Sequence, residues 1–257
     1  MRPLALVRLM QLSSQALPIG GYSHSQGLES AIEQRIVTDE SSLLRWISDV
    51  LEFSMKSFEV PCMLAMAAAW ARDDATAIAA LNAEFLSTRE SAELRAASVQ
   101  MGFSLCALMS TLPDLRARIV STLRAIQEPT LPCAWSAATT AWEIEPRESV
   151  MGYLWTWAEN QVLVAMKAVP IGQSAGQRVL VATGSRIAQG AADIGSGAAG
   201  AAGALGTAGT AGTVGSGGAV GTGDIGDELG EGYSNFTPGL AILSSQHETQ
   251  YSRLFRS

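Results

Sequence analysis

The sequence predicts an all-α fold, a single helical bundle of roughly eight to ten helices. Apolar residues recur at helical spacing nearly everywhere before residue 190, and prolines separate the periodic runs. No alternating apolar–polar run and no Asn-Gly or Asp-Gly turn indicates a β-hairpin. Hydrophobic residues make up 47% of the chain and charged residues 16%, which is typical of a globular protein.

Each helix is predicted from the helical spacing of its apolar residues and from the residues that flank the run. Leu43, Ile47, Val50 and Leu51 share one helical face, so a helix is predicted up to Glu59. Proline lacks the N–H donor and disfavours α geometry in the residue before it, so prolines are expected at helix limits. Between such limits the sequence predicts helices over 38–59, 60–72, 75–87, 89–112, 115–126, 133–144, 147–169 and 172–189.

Charge and cysteine content narrow the class of protein. The net charge of −7 argues against a nucleic-acid-binding protein, because such proteins usually present a basic face. The cysteines Cys62, Cys106 and Cys133 are widely spaced in apolar helical contexts, and no C-x-x-C pair occurs. We expect buried thiols in a reducing compartment. The N-terminus superficially resembles a signal peptide, but Arg8 and Gln11 interrupt its apolar run. The uncharged run 194–223 is long enough to span a bilayer but too rich in Gly, Ser and Thr, so a cytoplasmic protein is expected.

A glycine-rich stretch divides the chain. Residues 195–223 contain twelve glycines and few side chains that could pack in a core. A flexible coil of that length spans about 30 Å. The predicted organisation is therefore a helical domain over 1–190, a Gly/Ala-rich linker over 191–232 and a C-terminal partner-binding tail over 233–257.

Motifs of enzymes and metal proteins are present only in fragments. A G-x-G-x-x-G match begins at Gly195, but a dinucleotide site needs a strand before the glycines. His247 and Glu248 start an H-E-x-x-H pattern, in which Tyr251 stands where the second histidine belongs. His24 is the other histidine of the chain. We predict no enzyme, no catalytic or metal-binding residue and no cofactor bound directly.

Three segments are more polar than their surroundings, and the first covers residues 17–33. Pro18 and Gly20 indicate a bend, and Ser23 with Gln26 matches a capping box that would open a helix. This segment is either a capped turn between helices or a recognition or ion-handling surface at a helix start.

The second polar segment covers residues 153–178. Asn160, Val164 and Lys167 lie along one helical face, and Glu159 and Gln161 flank them in an aromatic helix. Buried polar groups of this kind must be hydrogen-bonded, because an unpaired one costs about 1–3 kcal/mol. The segment is either a satisfied internal network or a contact face between subunits, with its tryptophans, Trp155 and Trp157, as anchors.

The third segment is the tail, residues 247–257. Ordering its backbone costs about 10–20 kcal/mol. Burial of Tyr251, Leu254 and Phe255 returns about 2–3 kcal/mol each. Arg253 and Arg256 would need acidic partners to supply the remainder. We therefore expect this tail to lack order by itself and to fold on binding a partner.

These three segments resemble the family of the urease accessory protein UreF. The resemblance rests on "LPIGGYSHSQGLE", "WAENQV", "KAVPIGQSAGQR" and the terminal "PGLAILSSQHETQYSRLFRS", and it spans the chain in the family's order. It implies an all-α, non-enzymatic chaperone of nickel insertion that dimerises. It further implies binding to UreD (UreH in some organisms), to the GTPase UreG and to apo-urease, with nickel delivery coupled to GTP hydrolysis on UreG. In the family, the tail is associated with UreD.

The resemblance also implies which residues contact partners. They are Pro18, Gly20, Tyr22, Ser23, His24, Gln26, Gly27, Glu29, Glu159, Asn160, Gln161, Lys167, Pro170, Gly172, Gln173, Gln177 and Arg178, and in the tail His247, Glu248, Thr249, Gln250, Tyr251, Ser252, Arg253, Leu254, Phe255 and Arg256. Residues 195–223 are expected to be an expansion relative to the family. The alternative functions are a helical nickel-binding protein and a small helical enzyme using a polar pocket around His24.

Overall fold

The computed structural model describes residues 1–113, 115, 117–204, 235 and 237–256, without the side chains of 192–204. Every regular element in these ranges is helical, which confirms the all-α prediction. The α-helices are α1 (Pro3–Leu12), α2 (Leu28–Glu33), α3 (Glu40–Val50), α4 (Val60–Ala71), α5 (Ala75–Ser87), α6 (Ala92–Met109), α7 (Ala117–Ala125), α8 (Leu131–Ala141), α9 (Pro146–Ala168), α10 (Gln173–Ala204) and α11 (Pro238–His247).

Side-chain caps fix where several helices begin. Asp39 accepts a hydrogen bond from the backbone N–H of Ser42 at 2.8 Å, and the Ser42 hydroxyl accepts one from the Asp39 N–H at 3.0 Å. Ser91 accepts from the Leu94 N–H at 3.1 Å and thereby starts α6. These bonds satisfy N–H groups that have no partner within the first helical turn.

The predicted break at Pro61 does not occur. A π-helix, Leu51–Glu59, joins α3 to α4, so the chain is helical without interruption from Glu40 to Ala71. In an α-helix, Pro61 would collide with the carbonyl four residues earlier. The wider π turn relieves that collision, and this explains why the proline does not end the helix.

The core lies where α4, α6 and α9 pack around α8. Trp135 of α8 is fully buried and donates its indole N–H to the Ser149 hydroxyl at 3.2 Å. Within the core, Arg89 and Glu59 form an ion pair at 2.6 Å, and the Tyr153 hydroxyl donates to Glu59 at 2.9 Å. Burial raises the pKa of Tyr153 well above its ordinary value, so its hydroxyl remains a donor. The Glu59 contacts connect the π-helix, the turn between α5 and α6, and α9 inside an otherwise apolar interior.

The cysteines lie as predicted for structural thiols. Cys62 and Cys133 are buried, Cys106 is partly buried, and all three are free. Burial raises the pKa of the Cys62 and Cys106 thiols to about 12 and that of Cys133 further. Thiols with such pKa values are protonated and unreactive at neutral pH.

Helix α10 is longer than predicted. It continues beyond residue 189 to Ala204 and so includes the first ten positions of the glycine-rich stretch, which the sequence analysis took for a tether. The rest of the predicted linker, 205–232, and the first two residues of the predicted tail lie outside the described residues. The division into domain, linker and tail therefore stays a prediction. Among the described residues, no helix is both long and apolar enough to cross a bilayer.

Gly102 in the middle of α6 allows a close approach to the start of α8. A methyl group at this position would collide with the backbone of Pro129 and Thr130, which cannot rotate away. We expect Gly102→Ala to destabilise the fold by about 1–3 kcal/mol in urea unfolding. The matched control is Gly239→Ala in α11, where an added methyl meets no atom within 4 Å. Equal stability of the two variants would contradict this packing argument.

Candidate docking site

The N-terminal polar segment folds into a bend that ends at α2. Gly20 and Gly27 have positive φ angles of 74° and 86°, which glycine adopts without strain. The predicted capping box of Ser23 and Gln26 is wrong: the Ser23 hydroxyl donates to the Gly20 carbonyl at 2.7 Å, and Gln26 is itself left-handed. Helix α2 begins at Leu28, with Gly27 as its N-cap residue.

Side chains of α9 hold this bend in place. The Asn160 amide donates to the His24 carbonyl at 2.9 Å, and the Gln161 amide donates to the Ser25 carbonyl at 3.2 Å. The Gln161 oxygen in turn accepts from the indole N–H of Trp46 at 3.2 Å. For Asn160 and Gln161, the structure thus shows the internal hydrogen-bond network that the sequence analysis had left open.

Other polar groups of α9 also contact the N-terminal region. The Trp157 indole donates to the Gln26 side chain, and Glu159 accepts from Gln15 at 2.9 Å. Trp155 and Trp157 are partly buried and pack against the core. The two tryptophans considered as interface anchors therefore contribute to the interior of the chain.

Helix α11 packs against α2 and the start of α6. Its residues Leu243, Ser244 and His247 are buried, and the Ser244 and Ser91 hydroxyls form a hydrogen bond of 2.6 Å. Gly27 lies directly under this helix, because a methyl group there would come within 3.1 Å of Leu240. A methyl group at residue 27 would require the Leu240 side chain to shift by a few tenths of an ångström, and the positive φ there disfavours any residue other than glycine.

His247 lies between two carboxylates of the domain. Its Nε2 is 2.9 Å from Glu29 Oε2, and its Nδ1 is 2.7 Å from Glu93 Oε2. The imidazole is fully buried, and less than a tenth of either carboxylate side chain is exposed. Arg253 adds an ion pair with Glu93 at 3.1 Å. Burial raises the pKa of Glu93 in spite of the hydrogen bond from His247.

The last described residues of the tail bind to α2 and to the bend that precedes it. The backbone N–H groups of Leu254 and Phe255 donate to Glu29 at 2.6 and 3.1 Å. The Arg256 N–H donates to the Ser23 carbonyl at 2.8 Å. The Phe255 ring is buried, with the Lys167 ammonium 5.4 Å from its centre.

The tail is therefore ordered against its own domain, which differs from the expectation that it needs a partner to fold. Packing of α11 and the hydrogen bonds to Glu29 offset part of the entropy cost of ordering the tail, and no sequence pattern indicates either of them. The acidic group expected for Arg253 is Glu93 of the same chain. All three polar segments meet here, since Arg256 reaches Ser23 and Phe255 reaches Lys167.

The docked tail leaves several large side chains in solvent. Tyr251 is fully exposed, and Leu254 and Tyr22 are 69% and 58% exposed. Glu248, Thr249 and Ser252 of the tail are also exposed. We call Tyr22, Tyr251 and Leu254 the exposed apolar set. Their exposure contrasts with the burial of Phe255 beside them.

Other predicted residues lie away from the tail contacts. Pro170, Gly172, Gln173 and Gln177 are exposed around the turn between α9 and α10. Arg178 forms an ion pair with Glu40 of α3 at 2.5 Å. Within the segment 153–178, Lys167 contacts the tail through the Phe255 ring.

Glu93 and Ser91 are the site residues that sequence reasoning missed. An acidic residue in the first turn of a long helix looks like an ordinary partner of the helix dipole. A serine before it looks like an ordinary N-cap. Nothing in their spacing indicates that a histidine 154 positions later would bond to Glu93.

The two histidines differ in their surroundings. Both ring nitrogens of His247 already contact carboxylates. Burial, with a contribution from Arg256, lowers the pKa of His24 to about 4, so this imidazole is neutral at physiological pH. In the part of the chain that the structure describes, no cluster of three or more His, Cys, Asp or Glu side chains is arranged to hold a metal ion.

Comparison with known proteins agrees with these motifs. The family model described as UreF matches residues 37–184. The chain belongs to the UreF family. It is 45% identical over 255 residues to the "Urease accessory protein UreF" of Dechloromonas aromatica, covering 99% of this chain and 98% of that one. The protein of the same name from Azoarcus sp. is 45% identical over 260 residues, with 99% and 96% of the two chains covered.

The similarity also extends over the whole of a third relative. A relative from Janthinobacterium sp., also named "Urease accessory protein UreF", is 39% identical, and the match covers 100% of both chains. The expectation that residues 195–223 are an expansion relative to the family stays a prediction.

Both carboxylate oxygens of Glu29 accept hydrogen bonds from the tail, so we expect tail docking to depend on both of them. Glu29→Gln leaves one acceptor for His247 and two backbone N–H groups, and charge-assisted bonds contribute about 1.5–3 kcal/mol each. We expect trypsin to cleave after Arg253 at least tenfold faster in this variant, because cleavage follows the released population. Glu33→Gln, on the exposed end of the same helix, is the control. Unchanged cleavage in Glu29→Gln would contradict the assignment.

Proposed function

We propose that this chain is a urease maturation factor that holds UreD (UreH) and the GTPase UreG together for GTP-dependent delivery of nickel to apo-urease. Membership of the UreF family supports a role in urease maturation. We further propose that the chain is a non-catalytic, cytoplasmic chaperone and that it acts as a homodimer in a larger complex. GTP is bound by UreG, and nickel is handled by the assembled complex.

The inference that this chain binds a partner rests on the surface that the tail and the N-terminal bend form together. Glu29 and Glu93 fix the tail, and the tail exposes Tyr251 and Leu254 to solvent. Tyr22 of the bend is exposed as well, next in sequence to Ser23, which binds Arg256 of the tail. Large apolar and aromatic side chains at the centre of an interface supply much of its binding energy. We assign UreD to this surface.

The nickel-binding alternative has less support. A donor for nickel needs a free nitrogen or thiolate, and the thiols are protonated by burial. The contacts of His247 occupy both of its ring nitrogens. These observations favour a scaffold over a chain that stores the metal.

The test is co-purification of tagged chain with UreD and UreG from the same source. Tyr251→Ala and a chain that ends at Gln246 should each lose UreD and retain helicity. A central aromatic anchor contributes about 2 kcal/mol or more, so the substitution alone should weaken UreD binding about 30-fold.

The control is Phe103→Ala, which removes an aromatic side chain that is 63% exposed. Phe103 lies ten residues beyond Glu93 on α6, which is about 15 Å along the helix. Retention of UreD by the Tyr251 variant and by the truncated chain would refute the assignment of this surface. Failure of full-length chain to retain either UreD or UreG would refute the scaffold role itself.

A further inference from the structure

Helix α1 is apolar on more sides than the domain covers. Its residues Ala5 and Leu12 are buried in the core. In contrast, Leu4, Val7 and Met10 are 67%, 58% and 65% exposed. These three residues follow one another at a spacing of three, so they form a stripe along the helix, which we call the α1 ridge. Large exposed apolar stripes mark surfaces that bind another chain.

An apolar groove runs beside the α1 ridge, between α1 and α10. Its volume is about 600 Å³, and Met10, Met151 and Ile187 are among the residues that line it. The partly buried Trp155 of α9 lies against Gly184 of α10, where an added methyl group would be 3.4 Å from the ring. Because glycine has no side chain, α10 leaves the groove open above this tryptophan. The same face of the domain thus carries a ridge and a groove side by side.

The ridge and the groove both run along α9. Arg2, just before α1, pairs with Glu143, just before α9. Gln15, beyond the other end of α1, donates to Glu159 at 2.9 Å. Helix α1 therefore follows α9 in the same direction over its ten residues, which is about 15 Å. A twofold axis between ridge and groove brings the ridge of each copy over the groove of the other, and a symmetric dimer requires such a self-complementary face.

The charges of this face are already engaged within the chain. Arg8 is the only ionisable residue of α1, and its guanidinium lies over the Trp142 ring, 5.2 Å from the centre. Glu159 is the only ionisable residue among those that line the groove, and it accepts from Gln15. The centre of a homodimer interface is likewise depleted of charged residues. The face is therefore complementary to an apolar, uncharged surface.

The exposed apolar area is of the size that one copy contributes to a dimer. The α1 ridge and Leu6 beside it are between 45% and 67% exposed. At roughly 30 Å² of surface per CH₂ group, these four side chains present about 250–300 Å² of apolar surface. One partner of a homodimer buries about 800 Å², of which about 500 Å² is apolar. The ridge with Leu6 thus supplies about half of that area, and the walls of the groove add to it.

We propose that the α1 ridge enters the groove between α1 and α10 of a second copy of this chain, and that the second copy does the same in return. The inference rests on the homodimer of the proposed function and assigns a surface to it. Met10 lies beside the first half of α9, near Met151, whereas the tail contacts Lys167 near the end of that helix. The dimer contact therefore leaves the tail of each copy accessible to its own partner.

Sedimentation equilibrium of the full chain tests this contact. The wild-type chain should be dimeric at micromolar concentrations. Met10→Glu puts a charge into the interface at two symmetric places, each costing tenfold or more, so the Kd of the dimer should rise at least 100-fold. Phe103→Glu, which changes an aromatic residue of α6 that is 63% exposed, is the control and should keep the wild-type Kd. A wild-type Kd in Met10→Glu would overturn the assigned surface, whereas a monomeric wild-type chain would overturn the homodimer as well.

A substitution in the groove tests the other half of the contact. In Gly184→Leu the new Cβ meets Trp155 at an ordinary contact distance of 3.4 Å, so the domain accepts it and the rest of the side chain fills the groove. We expect the Kd of the dimer to rise at least tenfold, with an unchanged midpoint of urea unfolding. The control is Gly172→Leu, because an added methyl group at that position meets no atom within 4 Å. A Gly184→Leu dimer as tight as the wild type would show that the ridge does not enter this groove.

Discussion

Glu29 is the group on which the docked tail depends. Its carboxylate accepts from the His247 ring and from two consecutive backbone N–H groups, and it is 5% exposed. A buried charge is costly unless it is paired and hydrogen-bonded, so Glu29 and the tail each need the other. With the tail docked, these donors replace the water that would otherwise solvate the carboxylate.

The position of Glu29 is in turn set by the bend before α2. Left-handed backbone at Gly20 and Gly27 turns the chain, and the amides of Asn160 and Gln161 bind the carbonyls between them. The same amides are far from the tail in sequence and are fixed by the core helix α9. The polar segments thus form one hierarchy in which α9 holds the bend, the bend holds Glu29, and Glu29 holds the tail.

In this UreF-family chain, the tail and the bend that it contacts come from opposite ends of the sequence. The buried members, such as His247 and Phe255, fix the geometry, while Tyr251 and Leu254 are exposed to solvent. Residues that the family resemblance groups together therefore differ in their surroundings. In the proposed docking surface, substitution of a buried member would change the tail's position, and substitution of an exposed member would change only what the tail binds.

Three features could be predicted from the sequence alone: the helical class, the helix limits at most prolines, and the three polar segments. They depend on local periodicity and on backbone chemistry. The sequence also indicated membership of the UreF family, because each motif of the family is contiguous in the chain. It could not show that Glu93 and Ser91 meet the tail, that Pro61 is accommodated by a π turn, or that Ser23 and Gln26 do not cap a helix. Those features arise from contacts across 150 or more residues or from packing that overrides local preference, and only the tertiary structure decides them.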